Sequence, residues 1–273
     1  MTRFPRAENT FNGHNRSAFY HENSLMKNVI LGSRVDPVSY AQATQQVVAW
    51  AQGHESHYVC AANVHMLMEA YDSPEFQQVV NGADLVTPDG MPLVWMLQCL
   101  GYPKQERVYG PDLTLKLIEA AVVQEISVGF YGGTAETLVG LTASFKEKYP
   151  NLQIRYSYSP PFRPLTATED ESVILAVNAS GAQILFIGLG CPKQERWMAA
   201  HKGRIQAVML GVGAAFDIHA GQKPQAPAWM QQTSLEWLFR LFSEPRRLWR
   251  RYLFYNPRFL VLALLQLFGF RQS

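Results

Sequence analysis

From about Asn28 onward, short apolar runs alternate with stretches of helical period, and this rhythm limits the fold more than any other feature of the chain. Apolar segments at 29–31, 58–61, 84–87, 126–131, 152–158, 183–187 and 207–210 have strand length. Segments 37–52, 64–80, 91–100, 111–124, 134–148, 168–179 and 192–201 read as the helices between them. In the first of these, Asp36 is the expected N-cap, Pro37 the first helical residue, and Gly53 follows the end.

Such alternation predicts parallel strands covered by helices on both faces. The expected fold class is therefore α/β: a Rossmann-like parallel sheet with helices on both faces, plus a C-terminal amphipathic helical appendage. Three regions follow: a flexible N-terminal segment over 1–26, a Rossmann-like domain over 27–234, and a basic and apolar appendage over 235–273. Pro-Lys-Gln-Glu-Arg occurs at 103–107 and again at 192–196. The first copy leads into an extended Val-Tyr-Gly and the second opens a helix, so the repetition reads as coincidence.

Composition removes several function classes. Lys and Arg number 24 against 22 Asp and Glu, so no global basic field points to nucleic acid. Cys60, Cys99 and Cys191 are too few and too scattered for a disulfide framework and fit a reducing compartment. The seven histidines form no His-x-x-x-His pair, and no Asp-x-Asp motif occurs, so no metal or other cofactor is expected. The N-terminus lacks the continuous apolar run of a secretory signal.

In open parallel sheets, ligands bind beyond the carboxyl ends of the strands. Gly132 lies in a Gly-rich turn that opens a helix, where backbone N–H groups can approach phosphate; an ordinary turn explains it equally well. Gly188 and Gly190 leave a strand, and Lys193 and Gln194 offer donors at the next helix start, against the bland reading of a solvated helix end. Asp217 closes a third small-residue block, 211–217, that suits either a close ligand or tight packing. Thr87 and Asp89 end the 84–87 strand. There Asp89 is either a general base or the cap of the following helix. Asn63 is either a sugar ligand or a cap. Arg107 and Asp112 are either contacts to phosphate and sugar or a surface ion pair.

The tail carries a local charge excess. From Leu235 onward there are seven arginines and only two acids, Glu236 and Glu244. Arg246, Arg247, Arg250 and Arg251 share one helical face, with Leu248, Trp249, Tyr252 and Leu253 opposite. This pattern suits an anionic membrane surface, and the alternative is a core helix with solvated arginines. The apolar run 259–270 spans twelve residues, short of the roughly 20 needed to cross a bilayer.

Taken together, the motifs resemble the WecG/TagA/CpsF family of glycosyltransferases (glycosyltransferase family 26). The matching stretches are 62–66, 83–90, 107–113, 130–133, 188–195, 211–217 and 226–248, in family order. Ala61 and Gln225 depart from the Thr and Arg common in relatives. The resemblance implies inverting transfer from a UDP-sugar to a polyprenyl-diphosphate-linked sugar, and the missing Asp-x-Asp motif makes that transfer metal-independent in expectation. The site would be peripheral, on the anionic cytoplasmic face of the inner membrane, in exopolysaccharide or cell-envelope synthesis. It implies Asp89 as base, Asn63 and Gln194 near the substrates, and Arg240, Arg247 and Arg250 closing over the diphosphate. A NAD-type oxidoreductase and a non-catalytic membrane-surface scaffold remain alternatives, and homo-oligomerisation is left open.

Overall fold

The computed structural model describes residues 28–227, 229–230 and 235–269, without the side chains of Arg247, Arg250 and Arg251. The segment expected to be flexible, 1–26, lies outside these residues. The first elements are the two-residue strands β1 (Val29–Ile30) and β2 (Ser33–Arg34), which pair only with each other. The expected first sheet strand is thus a hairpin, because Leu31 and Gly32 turn the chain with φ of 50° and 81°.

The body alternates as expected: α1 (Tyr40–Gln52), β3 (His57–Ala62), α2 (Val64–Asp72), α3 (Pro74–Asn81), β4 (Leu85–Pro88), α4 (Met91–Cys99) and α5 (Gly110–Val123). It continues with β5 (Val128–Gly132), α6 (Ala135–Lys148), β6 (Ile154–Tyr158), α7 (Ala167–Ser180), β7 (Ile184–Gly188), α8 (Lys193–His201), β8 (Val208–Gly211) and α9 (Ala215–His219).

Two helix boundaries differ from expectation for local reasons. Helix α1 starts later because Ser39 and Gln42 form a reciprocal capping box. Asp36 instead accepts the Val86 N–H at 2.8 Å and ties the chain to β4. The stretch 64–80 is broken because Ser73 adopts an extended conformation, caps α3, and precedes Pro74.

Strands β3 to β8 form one parallel six-stranded sheet in the order β4-β3-β8-β7-β5-β6. Helices α1, α5, α6 and α9 cover one face, and α2, α3, α4, α7 and α8 the other. Strand β7 shows the pleat: Ile184 and Phe186 join the first core, Leu185 and Ile187 the second. Phe130 stacks on Phe145 and Phe186 and meets Phe216 edge-on, anchoring α9 under the ligand edge.

The connection from β5 runs outward to β6, while that from β7 runs the opposite way to β8. The crevice between them is a switch point, where such sheets bind ligands.

The tail folds back onto the body as α10 (Glu236–Ser243), α11 (Pro245–Arg250), a π-helical turn (Arg251–Tyr255) and α12 (Asn256–Leu267). Phe259 and Ala263 of α12 are buried in the core beside α2. Three polar contacts hold the helix in place. Arg258 pairs with Asp72, Tyr255 Oη donates to Glu69, and Gln266 bonds both Leu31 N–H and the Val29 carbonyl. Among the described residues, no helix is long and apolar enough to cross a membrane.

Candidate active site

Two clefts open at the carboxyl edge of the sheet. The first lies over β3 and β4. Its lining includes Asn63, His65, Asp89, Arg107, Glu236 and Arg240. The second lies over the β5/β7 crevice and is lined by Gly188, Gly190, Lys193, Asp217, Phe162 and Lys223, among others.

Asp89 follows β4, and the structure decides against its capping role. The cap of α4 is Gly90, with no side-chain bond. The Asp89 carboxylate turns instead to α5, where Oδ1 accepts Gly110 N–H at 2.6 Å. Burial pushes its pKa above the ordinary carboxylate range, against the pull of Arg107 and the Gly110 N–H. Repulsion from Glu236 adds to the rise.

Arg107 and Arg240 give the cleft its positive charge. Arg107 Nε donates to the Asp89 carbonyl at 2.5 Å, and its guanidinium lies 4.1 Å from the Tyr109 ring centroid. Arg240 comes from α10 and donates to Tyr109 Oη at 2.6 Å. Glu236 pairs with both arginines at 2.7 Å. Burial opposes its ionisation, but Arg240 and Arg107 outweigh that and hold its pKa below the usual range. Arg107 is thus no surface ion pair; its partner is a buried carboxylate from the tail.

Asn63 takes its expected capping role and sits at the first cleft. Its Oδ1 accepts Met66 N–H at 3.2 Å, capping α2, while the residue also lines the Asp89 cleft. Arg247 and Arg250 belong to α11, but their side chains lie outside the described residues.

In the second cleft, Gly190 takes φ of 78°, a conformation that favours glycine. Lys193 opens α8, with its ammonium 5.3 Å from the ring centroid of the exposed Phe162. Asp217 is paired with Lys223 at 2.7 Å, and Lys223 also reaches Glu244 at 3.1 Å. The wall of the second cleft is thereby tied to the junction of α10 and α11.

Four expected contact residues lie elsewhere. Thr87 is fully buried within β4. Asp112 accepts a hydrogen bond from Tyr40 Oη at 3.2 Å and lines neither cleft. Gly132 packs against β7: a Cβ there would sit 2.6 Å from the Gly188 carbonyl carbon. Gln194 is turned inward, accepting Gly190 N–H at 3.1 Å and donating to Glu195 at 2.8 Å. It shapes the loop from below rather than lining it.

Glu236 and Tyr109 were not singled out from the sequence. The available signal for Glu236 was its position as one of two acids in an arginine-rich tail. Trp237, Tyr252 and Asn256, which complete the wall of the first cleft, carry no such signal.

The sequence model of the glycosyl transferase WecG/TagA/CpsF family matches residues 28–273. The chain belongs to this family. The match runs from the first hairpin through the tail, so both clefts lie inside it. Among similar proteins is the N-acetylglucosaminyldiphosphoundecaprenol N-acetyl-beta-D-mannosaminyltransferase of Bacillus spizizenii. It is 30% identical over 72% of this chain and 74% of the relative. Proteins of the same name from Staphylococcus aureus strains MW2 and NCTC 8325 are 25% identical over 81% of this chain and 86% of theirs. The WecG/TagA/CpsF assignment makes this chain a glycosyltransferase and does not favour the oxidoreductase reading.

Proposed function

We propose that this glycosyltransferase moves a sugar from a UDP-sugar onto a polyprenyl-diphosphate-linked acceptor, with inversion and without a metal. The observation that carries the reading is Asp89: a carboxylate of raised pKa in a cleft with two arginines. The relatives' names specify an N-acetylglucosaminyl-diphosphoundecaprenol acceptor and a β-linked N-acetylmannosaminyl product. Transfer from an α-linked nucleotide sugar to a β product inverts the anomeric carbon. We take the same acceptor class, and UDP-N-acetylmannosamine as the first donor to test.

In this scheme the second cleft receives the nucleotide diphosphate at the N-terminus of α8, beside Lys193. The acceptor enters the Asp89 cleft. Its hydroxyl oxygen attacks the anomeric carbon as the bond from that carbon to the diphosphate oxygen breaks. Asp89 takes the hydroxyl proton, and UDP leaves with the bonding pair. Lys193 faces the leaving diphosphate in place of a divalent cation, while Arg107 and Arg240, which line the acceptor's cleft, meet the negative charge of the acceptor's own diphosphate.

The tail is the proposed contact with an anionic membrane on its cytoplasmic face. Leu253 and Phe254 of the π-helical turn and Leu260, Val261 and Leu264 of α12 are exposed, and Tyr252 and Asn256 of the same segment wall the Asp89 cleft. The deciding experiment is a donor screen with polyprenyl-diphosphate-N-acetylglucosamine as acceptor, read by formation of a lipid-linked disaccharide. Transfer from a UDP-sugar is expected. No product from any nucleotide sugar overturns the proposal.

A further inference from the structure

Glu236 stands between two guanidinium groups from distant parts of the chain. Its Oε2 lies 2.7 Å from Arg107 Nη1, and its Oε1 lies 2.7 Å from Arg240 Nη2. The residue is only 6% exposed. Both guanidiniums lie over the same ring, with Tyr109's centroid 4.1 Å from Arg107 Cζ and 5.8 Å from Arg240 Cζ. Two cations so close repel, and the shared carboxylate makes their juxtaposition tolerable in a half-dry cleft. Arg107 in turn donates to the Asp89 carbonyl. One carboxylate of the tail is therefore linked, through one arginine, to the backbone of the proposed base.

We infer that Glu236 is a positioning residue for the transfer: it fixes Arg107 and Arg240 side by side toward an anionic substrate and keeps their charge from quenching Asp89. The inference rests on the transfer reading above and gives it a division of labour. A guanidinium carries five N–H donors, so one carboxylate oxygen leaves others on each arginine for a diphosphate.

Glu236 is unsuited to be the base itself, because both of its oxygens are engaged by cations. Environment pushes the two carboxylates apart, Asp89 up and Glu236 down, as expected for neighbours with different tasks. The charged and titratable groups around Asp89 come from four elements. They are Arg107 and Tyr109 ahead of α5, Glu236 and Arg240 of α10, His65 of α2, and Tyr252 of the π-helical turn. Without the Glu236 charge, Asp89 becomes the nearest anion to both arginines and loses basicity.

The test uses the full chain with Glu236→Gln and Glu236→Asp. Gln keeps the shape and one acceptor but no charge. The Asp89 carboxyl is titrated by carbon-13 NMR, with assignment from Asp89→Asn, and kcat and KM are measured against pH. In Glu236→Gln, Asp89 is expected to titrate at lower pH. The acid limb of kcat/KM should move with it, and plateau kcat should fall at least about tenfold with a smaller change in donor KM.

Glu236→Asp keeps the charge, so Asp89 should titrate near its wild-type position while kcat falls. An unmoved Asp89 titration in Glu236→Gln, or a shift as large in Glu236→Asp, overturns the inference. A purely structural role lowers thermal stability and kcat without moving either titration. Inactivity of the wild-type chain with every UDP-sugar sinks the transfer reading, while the NMR arm still decides whether Glu236 controls Asp89.

Discussion

The carboxylate of Asp89 accepts the backbone N–H of Gly110 at 2.6 Å, so the end of one strand is latched to the start of a helix 21 residues further on. This contact fixes one oxygen of the carboxylate. The other is the oxygen that the proposed transfer needs to take the acceptor's proton.

Replacing that carboxylate should therefore abolish chemistry while sparing the fold. Asp89→Asn keeps an acceptor for Gly110 N–H. Turnover should fall at least about 100-fold, the usual worth of a general base, with little change in thermal unfolding. Near-normal turnover in a folded Asn variant removes Asp89 from the role.

The raised pKa of Asp89 has a sign. The proposed base works ionised, so kcat/KM should fall as pH drops through its folded pKa, and that acid limb should lie above the ordinary Asp value. Glu236 is shifted the other way and stays ionised through this window, so the arginine pair remains assembled while activity is lost. A kcat/KM profile flat down to the ordinary carboxylate range would contradict this.

Arg240 should matter for charge stabilisation more than for folding. Arg240→Ala removes a charged hydrogen-bonding group worth about 1.5–3 kcal/mol, or roughly 10- to 150-fold in kcat/KM. Transfer in the presence of EDTA should match transfer without it. Loss with EDTA and recovery with Mg²⁺ or Mn²⁺ would refute the metal-free scheme.

Two paired glycines at the ends of β5 and β7 tolerate no side chain. A Cβ on Gly188 would lie 2.5 Å from the Phe216 ring, and one on Gly132 would meet Gly188 backbone at 2.6 Å with φ at 113°. Gly188→Ala should cost about 1–3 kcal/mol, because a ring must shift. Gly132→Ala should cost more, because backbone cannot move aside and the conformation itself is strained. Chemical denaturation of both variants checks the order.

The membrane reading rests on exposed apolar residues whose loss leaves the core intact. Leu260→Glu with Leu264→Glu should reduce co-sedimentation with anionic vesicles while thermal unfolding stays near wild type, since both side chains are at least half exposed. Unchanged vesicle binding refutes that role for α12.

Much of the body was legible because its signals are local. Apolar runs mark β5 and β7, Thr134 caps α6, and Thr166 with Glu169 caps α7. Ser73-Pro74 announced the break between α2 and α3 but was overridden by the run of helical period around it. The site was legible only in part. Asp89 sits where a strand end predicts, whereas Gln194 is turned inward by the Gly190 amide and by Glu195, which no spacing reveals. Glu236 was hidden for a different reason. Its meaning depends on the tail folding back over a residue 129 positions earlier, and periodicity carries no information about such a return.

The bonds from Gln266 to the first hairpin imply a substrate-free reporter. The Leu31 amide proton is held by a side chain 235 residues downstream, so its deuterium uptake tracks how often the last helix lifts away. Exchange there, followed as vesicles or nucleotide are added, would register whether the arm loosens or tightens before any sugar moves.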